Sequence, residues 1–419
     1  MALIRTDSEL QATTPSPAVG PAPAPDGLPR VEVVRDAAGL EALTPAWRAL
    51  LTDRQFFVGP DWVRSWLEGP GRPLTPHVLT VREGSRLVGV LPLAARRRVV
   101  STCGADEGLA HVDVVAEPGR AAAVADLVLA HLDGEAWARW RVHRVAEGGA
   151  LHAALRARAD RRPVLERFVG ACPYVEHHGD WASFLKDLSK HQRHEATRQL
   201  RRFFEGPDAA VRWVTDPADV DAALDVVFDL HKRRFEALGK PTAFARPEVR
   251  AFHGTLARRL ADRNALMLGV LSDGGRPVAA AYGAHLGGTT SFFNAGIDPA
   301  FARAGAGVVL RCLVLKDAVL AAGRHELDLL EGCQEWKLRW ATGVRPMLDV
   351  DVFPASVGGR VRGSVRGLVR ALKARAAAAV HAGRGPGSTS EEPADPKHCR
   401  RLGCPYAPPA PPCDDDASV

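Results

Sequence analysis

The residues whose types and spacing suit chemistry lie between Thr289 and Lys337. Gly305-Ala306-Gly307 precede Val308, Val309, Leu310, Leu313, Val314, Ala318 and Leu320, a pattern that predicts a buried helix from Val308 to Ala322 with Gly323 as its stop. Glycines at a helix start let a ligand reach bare backbone. The first N–H groups there have no internal partners and carry the positive end of the helix dipole. A pyrophosphate suits such a place, and Arg303 is positioned to add a charged fork. Asp328 and Glu331 end a second apolar stretch, where carboxylates can accept protons. Asp328 alternates with Leu327 and Leu329, so it can equally point into the core as an ion-paired brace, with Lys337 or Arg339 as its partner. A P-loop is excluded by the lack of G-x-x-x-x-G-K-[ST], and Leu310 stands where a dinucleotide fingerprint needs its third glycine.

These residues need elements to position them. Thr289-Thr-Ser-Phe-Phe-Asn294 reads as a buried strand, and Gly296 after it suggests a bulge or a close backbone approach. Glu326 to Leu330 reads as a second strand. The unit is therefore strand, glycine-rich turn, helix, strand.

In these residues the chain resembles the GNAT acyltransferases, in the branch called CelD-like or BioF2-like. The motifs that carry the resemblance are Asp298-Pro-Ala-Phe-Ala-Arg-Ala-Gly-Ala-Gly307, Asp328-Leu-Leu-Glu-Gly332 and Trp336-Lys337. The sequence departs from the pattern at Ala306, where proline is usual, and at Trp336, where tyrosine is usual. Arg303 stands one position late for the general signature. A weaker likeness runs from about Val31 to Phe353.

The resemblance implies an acyl-CoA co-substrate, acetyl-CoA or another, whose pantetheine lies between the two strands. The backbone near Ala295 and Gly296 would face the thioester. Arg303, Gly305, Ala306, Gly307 and Val308 would hold the pyrophosphate. It points to Glu331 as the base, with Asp328 as the second candidate, and to no metal. His231, Arg234, Trp336 and Lys337 would contact a small amine acceptor, such as a sugar amine or a cell-envelope precursor. For His231, Arg233 and Arg234 an ordinary helix-surface role is the competing reading. Two rivals stand beside this function. One is a FemABX-like aminoacyl transferase, the only reading that would bring in a nucleic acid, tRNA. The other is a non-catalytic accessory of polysaccharide assembly.

At 419 residues the chain exceeds one typical core, and its 46% hydrophobic and 25% charged content is that of a globular protein with a modest net charge of +6. Its seven cysteines show no framework spacing, which predicts reduced thiols in the cytoplasm. No apolar run approaches the ~20 residues that span a bilayer. The expected organisation is an α+β, GNAT-like fold in two tandem halves, with a mixed central sheet and flanking helices. A disordered leader occupies 1–30, a degenerate first half 31–175 and the acyltransferase half 176–356. A basic amphipathic helix occupies 357–382 and a disordered, dispensable tail 383–419.

Asp180 to Phe204 reads as one long helix whose Lys186, Lys190, Arg193, His194 and Arg201 form a solvated face or meet an anion. The basic helix from Gly358 carries Val361, Val365, Leu368 and Leu372 on one side. It either docks on the core, the simpler expectation, or lies on an anionic membrane. His398, Cys399, Cys404 and Cys413 in the tail match no zinc spacing.

Overall fold

The computed structural model describes residues 27–369, apart from 106, 207 and 357, together with Leu402. The leader up to residue 26, the second part of the basic helix and the cysteines of the tail lie outside the described residues. Leu402 packs beside Ala171, Leu338 and Cys333, so at least this one residue of the tail touches the core.

Among the described residues thirteen strands form one sheet. They are β1 (Arg30–Val34), β2 (Thr75–Glu83), β3 (Arg86–Arg96), β4 (Val99–Thr102), β5 (Val115–Ala116), β6 (Arg139–Ala146) and β7 (Val164–Glu176), followed by β8 (Ala210–Trp213), β9 (Leu266–Asp273), β10 (Arg276–Leu286), β11 (Thr289–Ile297), β12 (Glu326–Asp328) and β13 (Gly343–Val352). Their order is β1-β2-β3-β4-β6-β13-β7-β12-β11-β10-β9-β8, with β5 on β3 off this path. Two pairs are parallel, β4 with β6 and β11 with β12, and each is bridged by a helix. The other ladders are antiparallel.

The order has a two-fold character. From either edge come four strands, then a strand parallel to the last of them, then a strand contributed by the other half. β13, near the chain's end, lies between β6 and β7, and β7 lies between β13 and β12. The fold is thus mixed α+β with one large sheet and helices on its faces.

Three local readings need correction. The helix expected from Asp180 to Phe204 is two, Trp181–Asp187 and Lys190–Phe204. Ser189 takes up the N-cap of the second and exchanges hydrogen bonds with Gln192, so a capping box breaks what periodicity alone would join. The bulge lies earlier in β11 than Gly296. Tyr282 pairs with Asn294 and Gly283 with Phe292, which leaves Phe293 unpaired. Its ring packs into an aromatic group from the first half, 5.2 Å from Phe56 and 6.0 Å from Trp62. Finally, the docking expected of the apolar stripe on the basic helix is not found. Within helical residues 358–369, Val361, Val365 and Leu368 are 57%, 55% and 62% exposed.

Gly296 permits a close approach of a different kind from the one expected. A Cβ there would lie 2.5 Å from Leu230 Cβ and 2.6 Å from the His231 nitrogen, so the glycine lets β11 lie against the Val220–Ala237 helix. Gly296→Val should therefore destabilise the fold by roughly 1–3 kcal/mol through overpacking. Urea unfolding of the variant checks this, and an unchanged midpoint would contradict the packing.

Candidate active site

The site opens where the second parallel pair parts. Thr289, Thr290 and Ser291 pair with Glu326, Leu327 and Asp328, and there the ladder stops. β11 runs on to Ile297 against β10 alone. After β12 the chain turns at Leu330, a left-handed residue with φ 56°. Two cavities adjoin along this opening, of about 360 and 440 Å³. They share Arg234, Phe292, Ala295 and Trp336 in their walls.

The larger cavity lies at the glycine-rich turn. Gly305, with φ 86°, is the N-cap of the Ala306–Leu313 helix, which continues in wider turns through Val314–Leu320. Val308 and Val309 donate back to the Gly305 carbonyl at 2.9 and 3.0 Å, and the Gly307 N–H has no backbone partner among the described residues. Gly305, Gly307 and Val308 line this cavity, and Ala306 is buried behind it. Arg303 is exposed and outside the wall.

Arg311, one turn into the helix, lines the cavity where Arg303 does not. Its Nη1 would be 3.8 Å from a Cβ on Gly307, so the guanidinium folds back over the first turn. It lies 4.8 Å above the Trp336 ring, and its Nε is buried without a hydrogen bond. Burial lowers it to about 10, and the field of Glu195 partly offsets that effect, so it stays charged at neutral pH. Arg234, on the Val220–Ala237 helix, is half-buried. Neither guanidinium has an ion pair among the described residues, and no carboxylate lines the cavity. Two unpaired cations in a partly dry wall are costly until an anion joins them.

The smaller cavity lies between the halves, with Glu107 and Gly108 from the first and Asn294, Glu331, Trp336 and Lys337 from the second. The Glu331 carboxylate is partly exposed and 2.8 Å from Arg144 Nε. Asp349 on β13 accepts from the Arg144 backbone N–H at 3.1 Å, which fixes that arginine. Lys337 is buried, and its Nζ donates to the carbonyls of Leu330 and Glu331 at 3.2 and 2.8 Å. It holds the turn that carries Glu331. His231 is buried against Phe235, with its Nδ1 3.0 Å from the Thr242 hydroxyl.

Asp328 is a brace. It is fully buried, lines neither cavity, and contacts His111 Nε2 at 2.5 Å and the Leu330 N–H at 2.9 Å. Burial alone would raise its pKa, but the charge and hydrogen bond of His111 hold it below the ordinary value. Neither Lys337 nor Arg339 is its partner; Arg339 pairs with Glu335. His111, Cys172 and Asp328 place ligand atoms within 4.8 Å of one another. The His111–Asp328 hydrogen bond would have to open before a cation entered. Burial pushes the Cys172 thiol well up, so it stands as a thiol and not as a nucleophilic thiolate. His111, Arg144 and Arg311 were not singled out in the sequence. The first two reach the site from the other half with no local motif, and Arg311 reads as one charge in an apolar helix.

Residues 190–338 match the family model described as acetyltransferase (GNAT) domain. The chain carries a GNAT domain. Solved structures of similar fold extend the likeness to both halves. FemX has a TM-score of 0.55 at 9% identity, covering 76% of this chain and 96% of FemX. The C-terminal DUF2156 domain of a protein from Agrobacterium fabrum, described as a lysylphosphatidylglycerol synthetase, has a TM-score of 0.51 at 12% identity, over 75% and 92%. A conserved protein of unknown function from Bacteroides thetaiotaomicron VPI-5482 has a TM-score of 0.50 at 15% identity, over 77% and 100%. At these identities the likeness is one of fold. Comparison with curated proteins gives no match. The parted strands and the glycine-rich helix start lie within residues 190–338.

Two outcomes follow from the charges of the site. Arg311→Leu removes a buried, unpaired cation, so the melting temperature should hold or rise while binding of an anionic ligand weakens by roughly 10- to 100-fold. A titration followed by thermal shift reads both, and undiminished binding would remove Arg311 from the site.

The second concerns acid. Burial lowers His231 to about 4, with Arg234 adding to the effect, and lowers His253 to about 3. In the unfolded chain both sit near ~6.5. The unfolded state then binds more protons from about pH 6.5 downward, and stability falls as pH falls through the window to about 4. His253→Phe should flatten this slope by up to about 1.4 kcal/mol per pH unit. Urea unfolding at a series of pH values measures it.

Proposed function

We propose that the chain is an acyl-CoA-dependent N-acyltransferase of the CelD-like or BioF2-like kind, acting on a small amine in the cytoplasm. The observation that carries this reading is the pair of joined cavities. One is free of carboxylates and holds Arg234, Arg311 and the Gly307 N–H, a setting for the phosphates of CoA. The other holds Glu331, a partly exposed carboxylate placed to serve as the base. Between them, β11 leaves the edge from Phe292 to Ala295 without a ladder partner on the β12 side, so its N–H groups are free to receive the developing oxyanion.

In this reading the acyl chain passes the shared wall of Phe292, Ala295 and Trp336. Glu331 accepts a proton from the ammonium of the acceptor, and the freed nitrogen attacks the thioester carbon. The C–N bond forms, the C–S bond breaks, and the second proton that the nitrogen sheds on becoming an amide passes to the departing sulfur. Arg144 and Lys337 keep the carboxylate and its turn in place. Asp328 has no proton-transfer role in this scheme, because it is shut inside with His111.

A second reading keeps the chemistry and changes the donor. The fold shared with FemX leaves a FemABX-like aminoacyl donor as the alternative. Its phosphates would suit the same two guanidiniums. Acetyl-CoA and longer acyl-CoAs should raise the melting temperature, and Gly307→Glu should abolish that shift in a folded protein. Absence of any shift with every acyl-CoA would sink the CoA reading and favour the aminoacyl donor. With a working acceptor, Glu331→Gln should lower the maximal rate roughly 10²- to 10⁴-fold while the acyl-CoA thermal shift persists. A near-full rate would remove Glu331 as the base.

A further inference from the structure

Helical residues 358–369 are built inside out. Their contacts with the body run through glycines: a Cβ on Gly363 would be 2.8 Å from Pro163 Cβ, and one on Gly367 would be 3.9 Å from Leu165. The branched residues face solvent. Val361, Val365 and Leu368 are more than half exposed, and Val369 is 43% exposed. Positions three, four and seven apart make one continuous stripe, so these side chains form a patch and not scattered contacts. A helix that only needed to dock would bury this stripe and expose its glycines.

The surroundings of the stripe are cationic. Arg360 and Arg362 are exposed beside it, and Arg366 turns inward to Asp351 at 3.5 Å. In the sequence Arg370, Lys373, Arg375 and Arg384 follow, and no Asp or Glu occurs between Gly358 and Ser390. Within residues 358–369 the only charged residues are Arg360, Arg362 and Arg366, and an apolar stripe flanked on its helix by cations alone is complementary to a surface that is apolar beneath and anionic above.

We infer that this helix face is an interaction surface for an anionic lipid bilayer, with Val361, Val365 and Leu368 in the interfacial zone and the arginines at the headgroups. A second copy of the chain would bring two cationic rims together, which opposes that occupant. The chain's own end carries Glu391, Glu392, Asp395, Asp414, Asp415 and Asp416, so it is the competing occupant that removal of 391–419 tests. None of the helices among the described residues is long and apolar enough to cross a membrane, so the contact is peripheral. The surface is independent of the donor and acceptor assignment, and a failure on either side leaves the other standing.

The test is co-sedimentation of the full chain with vesicles of phosphatidylcholine, with and without about one-third phosphatidylglycerol. The chain should pellet with the anionic vesicles, stay in solution with the neutral ones, and be released by salt. Val365→Asp and Leu368→Asp should each raise the lipid concentration for half-binding at least about tenfold without lowering the melting temperature, because both sites are exposed. Replacing Arg360 and Arg362 by Glu should act in the same direction. The inference is overturned if the full chain ignores anionic vesicles or if Leu368→Asp binds as the parent does. It is overturned equally if binding appears only after residues 391–419 are removed. Light scattering that shows a dimer dissolved by Leu368→Asp, with no vesicle binding, would assign the face to a second copy.

Discussion

Three residue pairs hold β11 to β12, and the site depends on their parting after Ser291 and Asp328. A sheet that opens leaves polar backbone without partners, and buried backbone must find others. The fold answers on the β12 side with side chains. Asp328 takes the Leu330 N–H, Lys337 takes the carbonyls of Leu330 and Glu331, and Ala171 on β7 accepts from the Gly332 N–H. On the β11 side the edge is left free. That asymmetry makes a cleft with one fixed wall and one wall that can bond a ligand.

The electrostatics follow the same division. Behind the fixed wall these carboxylates are matched: Asp328 by His111, Asp349 by Arg144 and Arg167, and Glu326 by Arg345. Along the open wall Arg234 and Arg311 are not. The matched set pins one backbone geometry, and the unmatched pair leaves a field to be completed from outside. His231, kept neutral by burial, lines the smaller cavity without adding charge of its own.

Much of this was legible in the sequence wherever it was local. The strand at Thr289, the glycine start, the apolar helix and the strand at Glu326 are short-range patterns, and the structure has them. What was not legible is long-range. His111 meets Asp328 across 217 positions, and no spacing announces it. The choice between Arg303 and Arg311 turns on which side of a helix faces the cavity, and the loop before Gly305 hides that. The long helix from Asp180 failed on a local signal, since Ser189 and Gln192 spell a capping box that the apolar stripe overrode. For the basic helix, amphipathicity fixes that a face exists and not which way it points: residues 358–369 pack through Gly363 and leave Val361, Val365 and Leu368 exposed.

The exchange of β7 and β13 has a consequence in time. The edge of β6 that receives β13 is complete by Ala146, but its partner begins at Gly343. At about 5–20 residues per second, synthesis leaves that edge open for roughly 10–40 s. During that interval the first half is a sheet with an exposed central edge, the kind of surface on which chains pair wrongly. The last strand to leave the ribosome is thus the one that closes the middle of the molecule. The halves share one sheet and a core cluster that draws on both, and any chain cut short before β13 leaves both of them unfinished.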